Sequence, residues 1–428
     1  MTATATYNQP TFPANYPAHW QLLRIKYLFT EIDERSETGS EELLSVSHYT
    51  GVTLKKESLE NEDDFITNAE SLEGYKRVAK GDLVINIMLA WNGSLGISPF
   101  DGITSPAYCV YRVKGNNNPE YFGYLFSTNL MKAEFRKKST GIIDSRLRLY
   151  SDKFFSIFSV VPPVDEQNQI VEYIKAQSQK INHFITKKQR FIELLKEQRQ
   201  SVINEAVTKG VDKNVKLKNS GIKWLGNIPE HWEVRKLKYC VSLNSNEYSE
   251  IINESELIKI ALENIDNWTG KYVQTESEDF EGEGNLFKKG DVLFNKLRPY
   301  LAKAFIAECD GISVGELLVL TPNEKYFTCQ FLFQRLMTSN FIDVVNSSTY
   351  GAKMPRANWG FIGNLKLPIP PIEEQKQIVQ YIKNETANID KTIAKAEREI
   401  ELIKEYKEAM IAEAVMGKAK IYNTVNAK

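Results

Sequence analysis

Between residues 165 and 209 the chain runs without proline or glycine, and apolar side chains recur in alternating steps of four and three. The stripe is Ile174, Ser178, Ile181, Ile185, Lys188, Ile192, Leu195, Arg199, Val202 and Ala206, seven of ten apolar. The same spacing returns in a second such run, 373–416: Ile382, Thr386, Ile389, Ile393, Ala396, Ile400, Ile403, Lys407, Met410 and Ala414, eight of ten apolar. A seam held over four to five heptads predicts two long helices that pair, with each other as the natural partners. A helix of roughly 40 residues is about 60 Å long. Each run opens on a proline pair and acids, Pro162-Pro163 with Asp165-Glu166 and Pro370-Pro371 with Glu373-Glu374. Proline suits a first helical turn and acids suit its positive end. Each run closes near a glycine, Gly210 or Gly417, as helix ends do.

Before each helix lies a β-type pattern. Short β-branched and aromatic runs such as Leu83-Val84-Ile85 and Val292-Leu293-Phe294 are broken by Gly, Asn and Asp. The two stretches are copies. NYPAHWQLLRIKYL (15–28) matches NIPEHWEVRKLKYC (227–240) at six of fourteen positions, including Pro17/Pro229, His19/His231 and Trp20/Trp232. Lys80-Gly81-Asp82 matches Lys289-Gly290-Asp291, and Asp101-Gly102-Ile103 matches Asp310-Gly311-Ile312. VPPVDEQNQIVEYIK (161–175) matches IPPIEEQKQIVQYIK (369–383) at ten of fifteen positions. The offset stays between 208 and 212, far too long for a solenoid repeat, so a whole domain pair is duplicated. The expected fold class is α+β: two duplicated β-rich α/β domains, each followed by a long helix, the two helices pairing as an antiparallel coiled coil.

Charge changes this picture little and chemistry narrows it. The 428 residues suffice for two or three cores. Net charge is −1, which by itself argues mildly against nucleic acid. No apolar run is long enough to span a bilayer, and residues 1–13 lack a charged-then-apolar signal design, so no membrane role and a cytoplasmic location are expected. The four cysteines (109, 240, 309, 329) form no C-x-x-C pair and the four histidines have no ligand spacing, so no metal site is expected. No G-x-x-x-x-G-K-[ST] loop, H-E-x-x-H or N/D-P-P-Y/F/W tetrapeptide is present, and no catalytic residue is assigned. The glycine pair in Glu281-Gly282-Glu283-Gly284-Asn285 reads as a turn in preference to a cofactor loop. His19 and His231 read as packing or turn residues.

The doubled P-P-x-x-E-Q-x-x-I block (Pro162–Ile170, Pro370–Ile378), the doubled P-x-H-W entry and the lead-in Ser220-Gly221-Ile222-Lys223-Trp224-Leu225-Gly226 resemble the specificity subunits of type I restriction-modification enzymes. The resemblance runs from Pro17 to about Gly417, and the first half lacks the lead-in. It implies a tail (1–14), a first target-recognition domain (15–162), spacer helix 1 (163–210), a linker (211–226), a second recognition domain (227–370), spacer helix 2 (371–417) and a tail (418–428). It implies that each domain reads one half of a bipartite site in double-stranded DNA. The helices would set the gap and dock two modification (methyltransferase) subunits, with restriction subunits joining outside. S-adenosylmethionine, ATP and Mg would belong to those partners, with no cofactor on this chain.

Base reading draws on Arg, Lys, Asn and Gln, and phosphate binding on cations. The candidates in the first half are Trp91, Asn92, Lys137, Lys138, Ser145, Arg146 and Arg148. In the second they are Lys296, Arg298, Lys303, Lys353 and Arg356, with Arg146 and Arg356 aligned at offset 210. The partner-docking candidates are Ile181, Ile185, Ile192, Leu195, Ile389, Ile393, Ile400 and Ile403. The first helix carries seven Lys or Arg against two Glu between Lys175 and Arg199, which makes it a second candidate for facing phosphates. A competing reading is a non-catalytic scaffold, a coiled coil bearing two protein-binding heads.

Overall fold

The same β arrangement occurs twice in the computed structural model, which describes residues 16–48, 50–55, 71–143, 146–244, 257–275, 284–314, 316–351, 353–419 and 421. Contacts divide the chain into two units, Met1–Lys187 with Glu399–Lys428, and Lys188–Arg398. The tail 1–14, most of 418–428, and Glu281, Gly282 and Glu283 lie outside the described residues.

In the first unit the strands are β1 (Gln21–Arg24), β2 (Phe29–Ile32), β3 (Leu44–Ser47), β4 (Gly51–Leu54), β5 (Lys76–Val78), β6 (Leu83–Asn86), β7 (Leu95–Ile97), β8 (Gly102–Thr104) and β9 (Tyr108–Val113). Helices α1 (Pro119–Phe126), α2 (Asn129–Lys138) and α3 (Ser151–Ser156) follow, then β10 (Phe158–Val161) and the long α4 (Val164–Lys209), whose residues from Lys188 onward count with the second unit. A four-stranded sheet runs β2-β9-β6-β7, β1 pairs with β10, β3 with β4, and β5 with β8. β6 is buried at every position because it lies between β9 and β7, which is why its sequence is a continuous apolar run.

The second unit adds β11 (Leu217–Asn219), β12 (Asn227–Pro229), β13 (Glu233–Lys236), β14 (Val241–Asn244), β15 (Ile258–Ile260), β16 (Gly284–Phe287), β17 (Val292–Asn295), β18 (Ala304–Ile306), β19 (Gly311–Val314) and β20 (Leu317–Pro322). Then come α5 (Cys329–Leu336), α6 (Ser339–Ser347), α7 (Trp359–Ile362), β21 (Lys366–Ile369) and α8 (Ile372–Val415). Its four-stranded sheet, β14-β20-β17-β18, repeats the first unit's order, and β13 pairs with β21 as β1 does with β10. Gly284 and Asn285, expected in a turn, open strand β16.

The short repeated motifs hold this scaffold together. Asp82 accepts from the Ala79 amide at 2.9 Å and Asp291 from the Lys288 amide at 2.8 Å, each closing a turn on a glycine with φ of 93° (Gly81, Gly290). Asp101 accepts from the Lys80 amide and Asp310 from the Lys289 amide, both at 2.8 Å. The K-G-D and D-G-I blocks are therefore two halves of one latch. At the D-G-I glycines a Cβ would meet backbone oxygen, that of Glu42 at 2.4 Å from Gly102 and that of Ile258 at 2.5 Å from Gly311.

The P-P-x-x-E-Q block is a junction between head and helix. Gln167 is fully buried; it donates to the Pro162 carbonyl (2.9 Å) and Asn117 Oδ1 (2.9 Å) and accepts from the Asn118 amide (2.7 Å). Asn118 is itself the N-cap of α1. Gln375 repeats this, donating to the carbonyls of Pro370 (2.9 Å) and Tyr326 (2.7 Å) and accepting from the amide of Thr328 (2.9 Å), the N-cap of α5. Glu166 receives Trp20 Nε1 at 2.9 Å and lies 2.8 Å from His19 Nε2; Glu374 receives Trp232 Nε1 at 3.0 Å and lies 2.8 Å from His231 Nε2. The P-x-H-W entry thus packs against the first turn of the long helix.

Within the first unit α4 and α8 share one core: Ile174 and Ile181 cluster with Met410 and Ala414, and Lys407 donates to Asn182 at 3.0 Å. Within the second unit Ile203 and Ala206 cluster with Ile378 and Ile382, and Arg199 pairs with Asp390 at 2.9 Å. In that unit Lys196 faces Glu397 while Arg199 faces Asp390, so the helices run antiparallel. Every position of both sequence stripes is buried or half-buried.

Candidate nucleic-acid interface

In the second unit the site begins where β17 ends. Buried Asn295 accepts from the Leu297 amide at 2.9 Å and donates to the Leu297 carbonyl at 2.5 Å, an Asx turn that bends the chain off the sheet. A 3-10 turn, Pro299–Leu301, follows, flanked by Arg298 (φ 50°) and Ala302 (φ 46°), both left-handed. The loop is tied to residues 350–357. The Arg298 amide donates to the Pro355 carbonyl at 2.7 Å, the Ala357 amide to the Lys296 carbonyl at 2.9 Å, and Tyr350 bridges Arg356.

Four second-unit candidates therefore meet: Lys296, Arg298, Lys353 and Arg356. Lys303 does not join them as a free cation, because its Nζ donates to the Leu262 carbonyl at 2.6 Å. Arg356 is also engaged. Its Nη2 and Nε lie 2.7 and 3.0 Å from one oxygen of Glu316, and hydrogen bonding to that carboxylate raises its pKa. Tyr300, Tyr350 and Met354 stand exposed around this cluster.

In the first unit Asn86 makes the matching turn, accepting from the Met88 amide at 3.1 Å, and the Leu149 amide ties the loop down on the Ile87 carbonyl at 2.9 Å. Trp91 is half-buried; its Nε1 donates to the Met88 carbonyl at 3.1 Å and the Arg136 guanidinium lies 5.1 Å from its ring centre. Its ring is a support for Arg136. Asn92, Lys137 and Arg146 are exposed, Lys138 is half-buried, and Lys137 Nζ lies 3.9 Å from Glu134. Ser145 is outside the described residues. Ile142 beside this cluster is 99 % exposed.

The structure corrects one alignment. Thr140 bridges Arg148 as Tyr350 bridges Arg356, and the residues after each arginine, Leu149 and Ala357, bond equivalent carbonyls. Arg148, with Nη1 on the Leu147 carbonyl at 3.0 Å, is the counterpart of Arg356. Arg146 sits inside a loop that is two residues longer, an insertion that a constant offset hides.

The docking candidates are also relocated. Ile181, Ile192, Ile393 and Ile400 are buried, and Ile185, Leu195, Ile389 and Ile403 half-buried, on the inward stripes of α4 and α8. One apolar stripe cannot both close the helix pair and face a partner. Apolar side chains that do face outward include Phe191 and Leu194 in the second unit and Leu402 and Tyr406 in the first.

Glu316, Tyr300, Tyr350 and Ile142 were not among the candidates that the sequence offered. Among the described residues no helix is long and apolar enough to cross a membrane.

The two units are like scaffolds that present unlike polar loops at corresponding places. Residues 229–402 match the type I restriction modification DNA specificity domain. The chain is 27 % identical to the type I restriction enzyme MjaVIII specificity subunit of Methanocaldococcus jannaschii, over 95 % of this chain and 94 % of that protein. It is 23 % identical to the EcoDI specificity subunit of Escherichia coli, over 77 % of each. A chain from a structural study of complex assembly and conformational transition of the type I R-M system shares the fold, with a TM-score of 0.67 at 14 % identity over 95 % of this chain and 100 % of that one. The chain is therefore similar, over nearly its whole length, to type I restriction enzyme specificity subunits, and residues 229–402 match the DNA specificity domain itself.

Proposed function

We propose that each unit reads one half of a bipartite DNA site through its loop cluster, residues 87–93 with 136–148 in the first and 296–302 with 350–357 in the second. The observation that carries this reading is the contrast within each unit. Residues shared by the two copies are consumed in holding the backbone, whereas the loops that differ face outward with cations and aromatics. Lys137, Arg146, Lys296, Arg298 and Lys353 supply phosphate or base contacts. The long helices set the gap and dock two modification subunits through outward side chains such as Phe191 and Leu402, and restriction subunits join that assembly. S-adenosylmethionine, ATP and Mg serve those partners, and this chain supplies recognition without catalysis.

The test is to replace residues 15–160 by the first recognition domain of another family member and to sequence the methylome of cells carrying the chimaera with its modification subunit. One half-site should change and the other stay. A change in both halves sinks the two-reader model. A scaffold with protein-binding heads predicts instead no salt-sensitive DNA binding, which a titration from 50 to 200 mM salt decides.

A further inference from the structure

Glu316 is an acid at the centre of a basic loop cluster. It immediately precedes β20, and its carbonyl accepts from the Lys296 amide at 3.1 Å. The fold does not require a carboxylate there. Strand pairing equates Asn86↔Tyr108 with Asn295↔Leu317, so the first unit carries Ala107 at the same place. The carboxylate is nevertheless fixed. One oxygen takes both Arg356 bonds, at 2.7 and 3.0 Å, while Oε2 has the longer contact of 3.3 Å with Nε. The side chain remains 28 % exposed.

On a face that meets phosphates, a carboxylate opposes binding unless a cation balances its charge, and its remaining lone pairs are then best satisfied by hydrogen-bond donors of the duplex. The major groove offers such donors as the amino groups of cytosine N4 and adenine N6. In adenine the neighbouring N7 is itself an acceptor and repels a second carboxylate oxygen; cytosine has only a C–H beside N4. Arg356 holds the carboxylate in one orientation and cancels its charge, which is what a fixed acceptor needs. We infer that Glu316 reads a cytosine N4 amino group in the half-site of the second unit, with Arg356 as its positioning residue. This inference rests on the proposal that the loop cluster reads DNA.

The experiment expresses the full chain with its modification subunit, as wild type, Glu316→Ala and Glu316→Gln, and reads the methylated sequence. Both variants should relax one G·C position of the second unit's half-site, with discrimination there falling about 5- to 150-fold. Glu316→Gln should admit adenine at that position, because an amide pairs with N6 and N7. A fully retained sequence, or relaxation at an A·T pair, overturns the inference. If Glu316→Ala fails to accumulate, Glu316→Gln complex is assayed by binding to duplexes altered at each G·C pair; undiminished discrimination at every one overturns it equally. Lys353→Ala and Tyr300→Ala, tested in parallel, separate the two levels. If they leave affinity and sequence untouched, the loop cluster is not the reading face; if they weaken binding while Glu316 variants keep the sequence, only the cytosine assignment falls.

Discussion

The two units differ least where a side chain bonds backbone and most where side chains face outward. Gln167 and Gln375 bond matching backbone groups, Glu166 and Glu374 take matching tryptophans, and Asp82 and Asp291 take matching amides at nearly matching distances, although the second partner of the aspartate is Arg112 in one unit and Thr321 in the other. The loops beside them do not match: a guanidinium over tryptophan and an exposed isoleucine in one, an Arg–Glu pair among exposed tyrosines in the other. The cores part company at one place too. Arg335 is fully buried in α5, where the equivalent position of α1 is the buried Leu125. The lesson is that identity between copies marks the residues a fold consumes, so a recognition site is to be sought where copies disagree.

The junction glutamines should give the largest effect. Gln375→Leu leaves the Thr328 amide and the Tyr326 and Pro370 carbonyls buried without their partner, and each orphaned group costs about 1–3 kcal/mol. We expect a loss of about 3 kcal/mol or more by urea denaturation, and a similar loss for Gln167→Leu. If one variant costs under about 1 kcal/mol and the other does not, the junctions are not equivalent and the comparison fails at its strongest point.

Arg335 sharpens the comparison next. Its Nη1 donates to Thr208 at 3.2 Å and its guanidinium lies 5.2 Å from the Trp224 ring centre, while Nε and Nη2 have no hydrogen-bond partner among the described residues. Burial pushes its pKa down to about 9. Arg335→Leu, which restores the first unit's residue, should stabilise the second unit by about 1–3 kcal/mol at pH 7. The pH dependence has a definite sign. Between about 9 and the higher, ordinary arginine value of the unfolded chain, that chain binds more protons, so wild-type stability rises with pH in that window. Below it both states are charged and the burial cost is at full size. The advantage of the leucine variant should hold steady from pH 7 to 8.5 and shrink as pH rises past about 9. A destabilised leucine variant at pH 7 would mean that the stack on Trp224 outweighs desolvation.

Much of the scaffold was legible in the sequence because it is periodic or punctuated. The expected helices, 165–209 and 373–416, differ by a residue from Val164–Lys209 and Ile372–Val415, since proline pairs and glycines mark their ends. The site was legible only as a neighbourhood. The stretches around residues 91 and 137 meet within the first unit and those around 296 and 353 within the second, but which arginine is engaged depends on Glu316, forty residues from Arg356 along the chain. The Arg146 alignment slipped because a loop insertion leaves no periodic trace. The docking stripe was misdirected for another reason: apolarity shows that a side chain will be covered, not by what.

The smallest effect concerns one backbone position that the two units solve differently. The 3-10 turn after β6 ends on Gly93 (φ 90°), and the one after β17 ends on Ala302 (φ 46°, ψ 60°), which is fully buried. A non-glycine residue in the left-handed region costs about 1–2 kcal/mol. Ala302→Gly removes that cost, but it also removes a buried methyl worth about 0.8 kcal/mol. It further adds unfolded-state freedom worth about 0.4–1 kcal/mol. The terms nearly cancel, and we expect a change within about 0.5 kcal/mol of zero. Gly93→Ala is not its mirror image. Its φ lies beyond the left-handed minimum near 57°, and the new Cβ would fall 2.6 Å from Lys132 Cε. That lysine end is flexible and can move, so the expected loss is about 1 kcal/mol, chiefly backbone strain. Parallel urea titrations of the two variants decide it. Equal changes of one sign would show that the two turns share one energetic solution after all, and that the left-handed alanine reflects the reading loop's demands no more than the glycine does.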